Sequence, residues 1–206
     1  VGNGIDWKIG VWDTIIGYEV FTAALDPNYT RSYGYTIEPT THTGVLGAYR
    51  ANDNISFQAG VANTFGPSIN ERAQGPNTSD PTRTMAESYK TYMGSIALTA
   101  PESMGFLAGS TLYGGVINGF NSSYGGAQTS WYAGATVATP VTGLRLGPAF
   151  DWLTVHNENV LVPGSAGQVW CVGGYASYQA TEKLSIHLRG EYLDTWAYFF
   201  SHCLPQ

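Results

Sequence analysis

Charge is what this 206-residue chain has least of: 12% of it is Asp, Glu, Lys or Arg, against about 25% in an ordinary soluble domain. Nine basic side chains against fifteen acidic ones leave a net charge of −6. The nine are scattered, so no concentrated basic face exists to grip a nucleic-acid backbone, and no nucleic acid is expected as a partner. No apolar run reaches the ~18 residues a membrane-crossing helix needs, which excludes a helical membrane protein. Cys171, in an apolar run, and Cys203, in the tail, cannot make a disulfide framework and read as free thiols. His42, His156, His187 and His202 lack paired metal-ligand spacing, and no Gly-x-Ser-x-Gly elbow is present. No catalytic residue, metal or cofactor is therefore expected. An initiating Met and a signal peptide are also absent. The opening "VGNGIDWKIG" is already strand-like and the closing "FFSHCLPQ" has no obvious closing element, so the chain reads as a processed or truncated piece, one domain over 1–206.

What is there is glycine and aromatic: 26 Gly, 14 Tyr and 6 Trp, the composition of an all-β protein. The windows "YRANDNISF" (49–57), "LTAPESMGF" (98–106), "VATPVTGLRL" (137–146) and "YQATEKLSI" (178–186) each set a short polar turn between two strand-like runs. Between them lie longer connections rich in Gly, Pro, Asn and Ser, at 65–87, 117–129 and 156–167. Short turns at one end and long loops at the other describe an antiparallel up-and-down meander of about nine strands. Period-two alternation supports it. In "LSIHLRGEY" Leu184, Ile186 and Leu188 alternate with Ser185, His187, Arg189 and Glu191. In "LRLGPAFDW" Leu144, Leu146, Phe150 and Trp152 alternate with Arg145 and Asp151, and in "DWKIGVW" Trp7, Ile9 and Val11 with Asp6 and Lys8. The hairpin "GSIALTAPESMGFLAGSTLYGG" (94–115) is ambiguous: both parities of its second strand, read through Phe106, carry apolar residues.

Trp131 and Trp152 flank the turn near Val141 by about ten residues, and Trp170 and Trp196 flank Glu182 by about twelve to fourteen. Aromatic rings at one height around a β-structure form the girdle of a membrane interface. Nine to eleven residues from turn to girdle is the length a tilted strand needs to cross hydrocarbon. An uncharged wall of Gly, Ala, Ser and Thr packs a poor soluble core. It is tolerable in a transmembrane β-barrel, where strand neighbours satisfy the backbone and small inward residues leave room for water.

The blocks "DTIIGYEVFTAALDPNYTRSYGYTIEPTTHTGVL" (13–46), "ESYKTYMGSIALTAPESMGFLAGSTLYGGVINGFN" (87–121), "ATVATPVTGLRLG" and "ATEKLSIHLRGEY" together resemble the OmpL-like β-barrel porins, a Gram-negative outer-membrane family. The resemblance covers most of 2–192. It implies a water-filled diffusion channel for small hydrophilic solutes or ions, with short periplasmic turns, longer outer loops, outer-membrane lipid around it and a homo-oligomer as one form. The tail after Asp194 departs from the pattern, and a family member would continue through more strands.

The segment 13–42 is the best candidate for a functional loop. It is long and rich in Tyr, which disfavours disorder, and carries one basic side chain, Arg31, among Asp13, Glu19, Asp26 and Glu38. One reading folds it into the pore mouth, where Arg31 and Tyr29 oppose Glu19 and Glu38 in a charged constriction. The other leaves it outside with its charges paired among themselves. "DPNYTRSYG" has the alternation of a calcium loop but lacks that loop's glycine and terminal acid. The expected wall is of mixed charge, lined by Lys8, Arg145, Asp151, His187, Arg189 and Glu191. A soluble or surface β-sandwich or barrel that binds carbohydrate on its aromatic residues is the competing function.

Overall fold

The computed structural model describes residues 4–63, 65–66, 75–76, 84–85, 89–121, 126–156 and 167–196. Nine strands form one antiparallel sheet: β1 Ile5–Asp13, β2 Thr41–Arg50, β3 Ile55–Ala62, β4 Thr91–Thr99, β5 Thr111–Asn121, β6 Gly126–Ala138, β7 Leu144–His156, β8 Gly167–Thr181 and β9 Leu184–Trp196. Each strand pairs with its neighbour in the chain, in the order β1 to β9. A separate two-residue ladder joins Gly75–Pro76 to Thr84–Met85. The meander is the one the alternation predicts, and a two-sheet sandwich is absent from the described residues. The sheet is open, because β1 and β9 remain its two edges there.

Register fixes which side chains share a face. Lys8 lies opposite Leu46, Leu46 opposite Gly60, and Gly60 opposite Met93. Met93 faces Ile117, which faces Ser130, which faces Leu153. This inward face carries Asp6, Lys8, Arg145, Asp151, His187, Arg189 and Glu191. The opposite parity is apolar and bare: Ile9 is 82% exposed, Leu188 67%, Leu112 55% and Ile186 48%. Apolar side chains exposed along successive strands are the reverse of a soluble domain's economy, and mark a surface that meets something other than water.

Two expectations need correction. The run 105–110 is not strand: Glu102–Leu107 forms a 3-10 turn, Gly105 and Gly109 take φ of 60° and 74°, and β5 begins only at Thr111. Positive φ is strained for any residue with a Cβ, so these glycines end the extended run and take Phe106 out of the strand. Leu112 then falls on the outward face. The connection read across 117–129 is also too long, since β5 runs to Asn121 and β6 starts at Gly126. The connections 67–74, 77–83, 122–125 and 157–166 lie outside the described residues, as do His202, Cys203 and the rest of the tail.

The core belongs to the inward face. One apolar cluster draws Trp12, Leu46, Met93, Ile117, Tyr132, Ala149 and Tyr175 from seven strands around Ile16, so the sheet curls about the segment 14–40. A second unites Ile37 with Leu153, Val155, Val169 and the free thiol of Cys171. Full burial of Ile16 stabilises the arrangement by about 2 kcal/mol.

Candidate functional site

The segment 14–40 leaves the wall between β1 and β2 and returns to its starting point, for Thr14 N donates to Thr40 O at 2.9 Å. In between it makes a 3-10 turn at Ala23–Leu25 and one short helix, α1, at Tyr33–Ile37. Ser32 caps α1, its Oγ accepting from Tyr35 N at 3.0 Å, a standard N-terminal device. Arg31 braces the fold of the segment: its guanidinium pairs with Asp26, donates to Val20 O and Phe21 O at 2.6 Å each, and stacks 4.1 Å from the Tyr35 ring centroid. The calcium-loop-like Asp26 is thus spent within the segment.

The far side of the segment is fastened to β7, β8 and β9. Arg189 on β9 donates to Glu19 Oε1 at 2.9 Å, to Thr30 Oγ1 at 2.9 Å, to Arg31 O at 2.9 Å and to Thr30 O. Glu191 accepts from Tyr33 N at 2.8 Å and holds Arg189 at 3.0 Å. Tyr18 stacks on Tyr175 of β8, ring centroids 3.9 Å apart. The wall has glycines where the segment presses hardest: a Cβ at Gly147 would run into the Tyr18 ring, and one at Gly115 would lie 2.6 Å from Ile16. A Cβ at Gly34 of α1 would likewise lie 2.6 Å from Asp151 Oδ2. The small inward residues were expected to make room for water; at these two wall positions they make room for the segment.

Glu19 is the hub of the charges. Its side chain is 1% exposed and faces Arg189 at 2.9 Å and Arg31 at 3.8 Å, with Ser32 N donating at 3.2 Å. Paired charges of this kind offset their desolvation through hydrogen bonds. Glu38 is different. It meets Asp151 of β7, carboxyl against carboxyl, and Glu38 Oε1 and Asp151 Oδ1 are both covered without a partner. Burial, and then the hydrogen bond to Asp151, hold the Glu38 carboxyl well above the usual carboxylate range. Two carboxyls in contact cannot both ionise cheaply, so the pair shares a proton.

Two cavities border the wall. One of about 600 Å³ lies between the segment and β1, β2, β3 and β5, with Lys8, Trp12, Glu19, Glu38, Gln58 and Tyr113 in its lining. Another of about 400 Å³ lies toward the turns 139–143 and 182–183, lined among others by Arg145, Ser177 and His187.

Of the loop residues singled out in the sequence, Glu19, Arg31 and Glu38 are brought against the inward wall. Tyr29 is not, being fully exposed. Of the wall residues, Asp151, Arg189 and Glu191 touch the segment, while Lys8, Arg145 and His187 face the cavities. Trp131, Trp152 and Trp170 stand directly opposite one another on β6, β7 and β8, on the outward face. They sit three to five residues inside the strand ends rather than at them. Trp196 ends β9, two residues beyond Asp194, the partner of Trp170. Sequence reasoning missed Ser32, Gly115, Gly147 and Tyr175. Glycine at inward positions of otherwise β-branched and aromatic strands was the available signal.

The family model described as "Putative beta-barrel porin-2, OmpL-like" matches residues 1–198. No curated protein and no solved structure matches the chain.

Proposed function

Since the chain belongs to the OmpL-like family of β-barrel porins, we propose that it forms a water-filled channel in the bacterial outer membrane for passive diffusion of small hydrophilic solutes or ions. The observation that carries this reading is the division of the sheet by parity. Outward positions are mostly bare and apolar from β1 to β9, which suits contact with lipid, and the charged wall residues have the inward parity except Asp13 and Asp194, near the long-loop ends of β1 and β9. The tryptophan row Trp131, Trp152 and Trp170 is read as part of the interfacial girdle, with Trp196 beyond it.

The segment 14–40 narrows the lumen. Glu19, Arg31 and Glu38 form the constriction of this reading, but their charge is largely spent: Glu19 on two arginines, Arg31 on Asp26, Glu38 by sharing a proton. The open charges facing the cavities are Lys8 and Arg145 against Asp13. Such a lining sorts solutes by width and only weakly by sign, and it asks for no covalent chemistry. The full-length protein reconstituted in a planar bilayer should give discrete, ohmic current steps. Its reversal potential across a salt gradient should lie close to that of a non-selective pore. A folded, inserted protein that passes no current, or one near-ideally selective for either ion, would overturn the reading.

A further inference from the structure

Arg145 on β7, Ser177 on β8 and His187 on β9 lie directly opposite one another in the sheet and all face inward. With neighbouring strands about 4.8 Å apart, they span about 10 Å of wall. They border the cavity of about 400 Å³ at the short-turn end, and none of the side chains lining that cavity is acidic. In a chain of net charge −6 this is a distinct local environment. Arg31, Arg50 and Arg189 each hold a carboxylate. The Arg145 side chain has neither a hydrogen bond nor an ion pair among the described residues.

The surrounding groups are held in place. Ser177 Oγ lies 2.9 Å from His187 Nδ1, and a hydroxyl donating to Nδ1 leaves the Nε2–H of the ring as a donor. Gln179 accepts from Ser185 Oγ at 2.7 Å and donates to Thr181 O at 2.6 Å, so the cavity floor is fixed and neutral. The nearest inward carboxylates up the wall, Glu191 and the loop's Glu19, are held by Arg189 at 3.0 and 2.9 Å.

We infer that Arg145 and His187 form a binding site for a small oxyanion, a carboxylate or a phosphate, at the short-turn end of the lumen. The inference rests on the reading of the inward face as water-filled. The Arg145 guanidinium is itself a forked donor that matches a planar or tetrahedral oxyanion, the His187 ring lines the same cavity as a second donor, and confinement between low-dielectric walls strengthens the attraction. Solutes carrying such a group would pause here, at the opposite end of the lumen from the entry of the segment 14–40.

The site is tested by binding rather than by current. The imidazole resonances of His187, assigned by their absence in His187→Gln, are followed in the detergent-refolded full chain at fixed pH and ionic strength. Inorganic phosphate, acetate and, as a neutral control, glycerol are titrated in. A saturable shift with phosphate, with acetate or with both, and none with glycerol, supports the site, and the pattern distinguishes the two anion sources. Arg145→Gln should weaken binding at least tenfold, Arg145→Lys should restore part of it, and Lys183→Gln on the adjacent turn should change it less than twofold. Absence of saturation in the folded wild type would overturn the site. So would an equal loss in Lys183→Gln, which would mark diffuse surface charge. A chain that binds phosphate yet passes no current would overturn the channel and leave the site standing.

Discussion

A single carboxyl, Glu38, ties the position of the internal segment to pH. In the docked segment it is held well above the ordinary carboxylate value of 4.5, first by burial and then by its hydrogen bond to Asp151, with Glu19 adding to the effect. In a released segment it would titrate near that ordinary value. Docking therefore takes up a proton, so its stability is complete below the ordinary value and is lost as pH rises through the raised one. Hydrogen-exchange protection of the α1 amides should fall with rising pH over this window. Glu38→Gln keeps a group able to hydrogen-bond Asp151 but cannot ionise, and should flatten the profile. An unchanged profile in that variant would show that another group governs the response.

At the scale of elements, the segment 14–40 and its seat on the wall act together. Gly147→Val puts a branched side chain where the Tyr18 ring now lies, in a strand whose extended backbone suits valine. The wall should form normally while the segment is pushed off. The expected result is faster proteolytic cleavage within 14–40, loss of the near-ultraviolet signal of the Tyr18–Tyr175 stack, and a larger unit conductance. Unaltered cleavage and current would mean that the seat tolerates the bulk. The strands themselves were legible in the sequence because alternation is a local property: Leu184, Ile186 and Leu188 announce one face and His187, Arg189 and Glu191 the other. The extension of the turn beyond Met104 was not, since Phe106, Leu107 and Ala108 suit a strand until the positive φ of Gly105 and Gly109 is seen. The charges of the segment were legible as candidates but their partners were not. Glu19 and Arg189 are 170 positions apart, and no local pattern in either neighbourhood points to the other.

On the scale of the whole molecule, the parity of the wall decides what the protein can be folded into. Ile186 is 48% exposed on the outward face and its neighbour Ser185 has the inward parity. An arginine in place of Ile186 should cost about 2–4 kcal/mol of folding in lipid if it lies near the midplane, whereas Ser185→Arg should refold with a loss below about 1 kcal/mol. Urea titration of both variants in liposomes reads the difference, and equal midpoints would reject the assigned faces. The same wall has a further property, which follows from the hydrogen bond between Thr14 and Thr40. Because the segment's two ends are joined at the rim, the register of β1 with β2 does not depend on what lies between them. The segment's length and sequence can be rewritten, or the whole stretch replaced by a tight turn, without shifting the pairing of β1 with β2 by one residue, since loop closure changes slowly with length. Evolution, or an engineer, could thus refit one unchanging frame with filters of different bore.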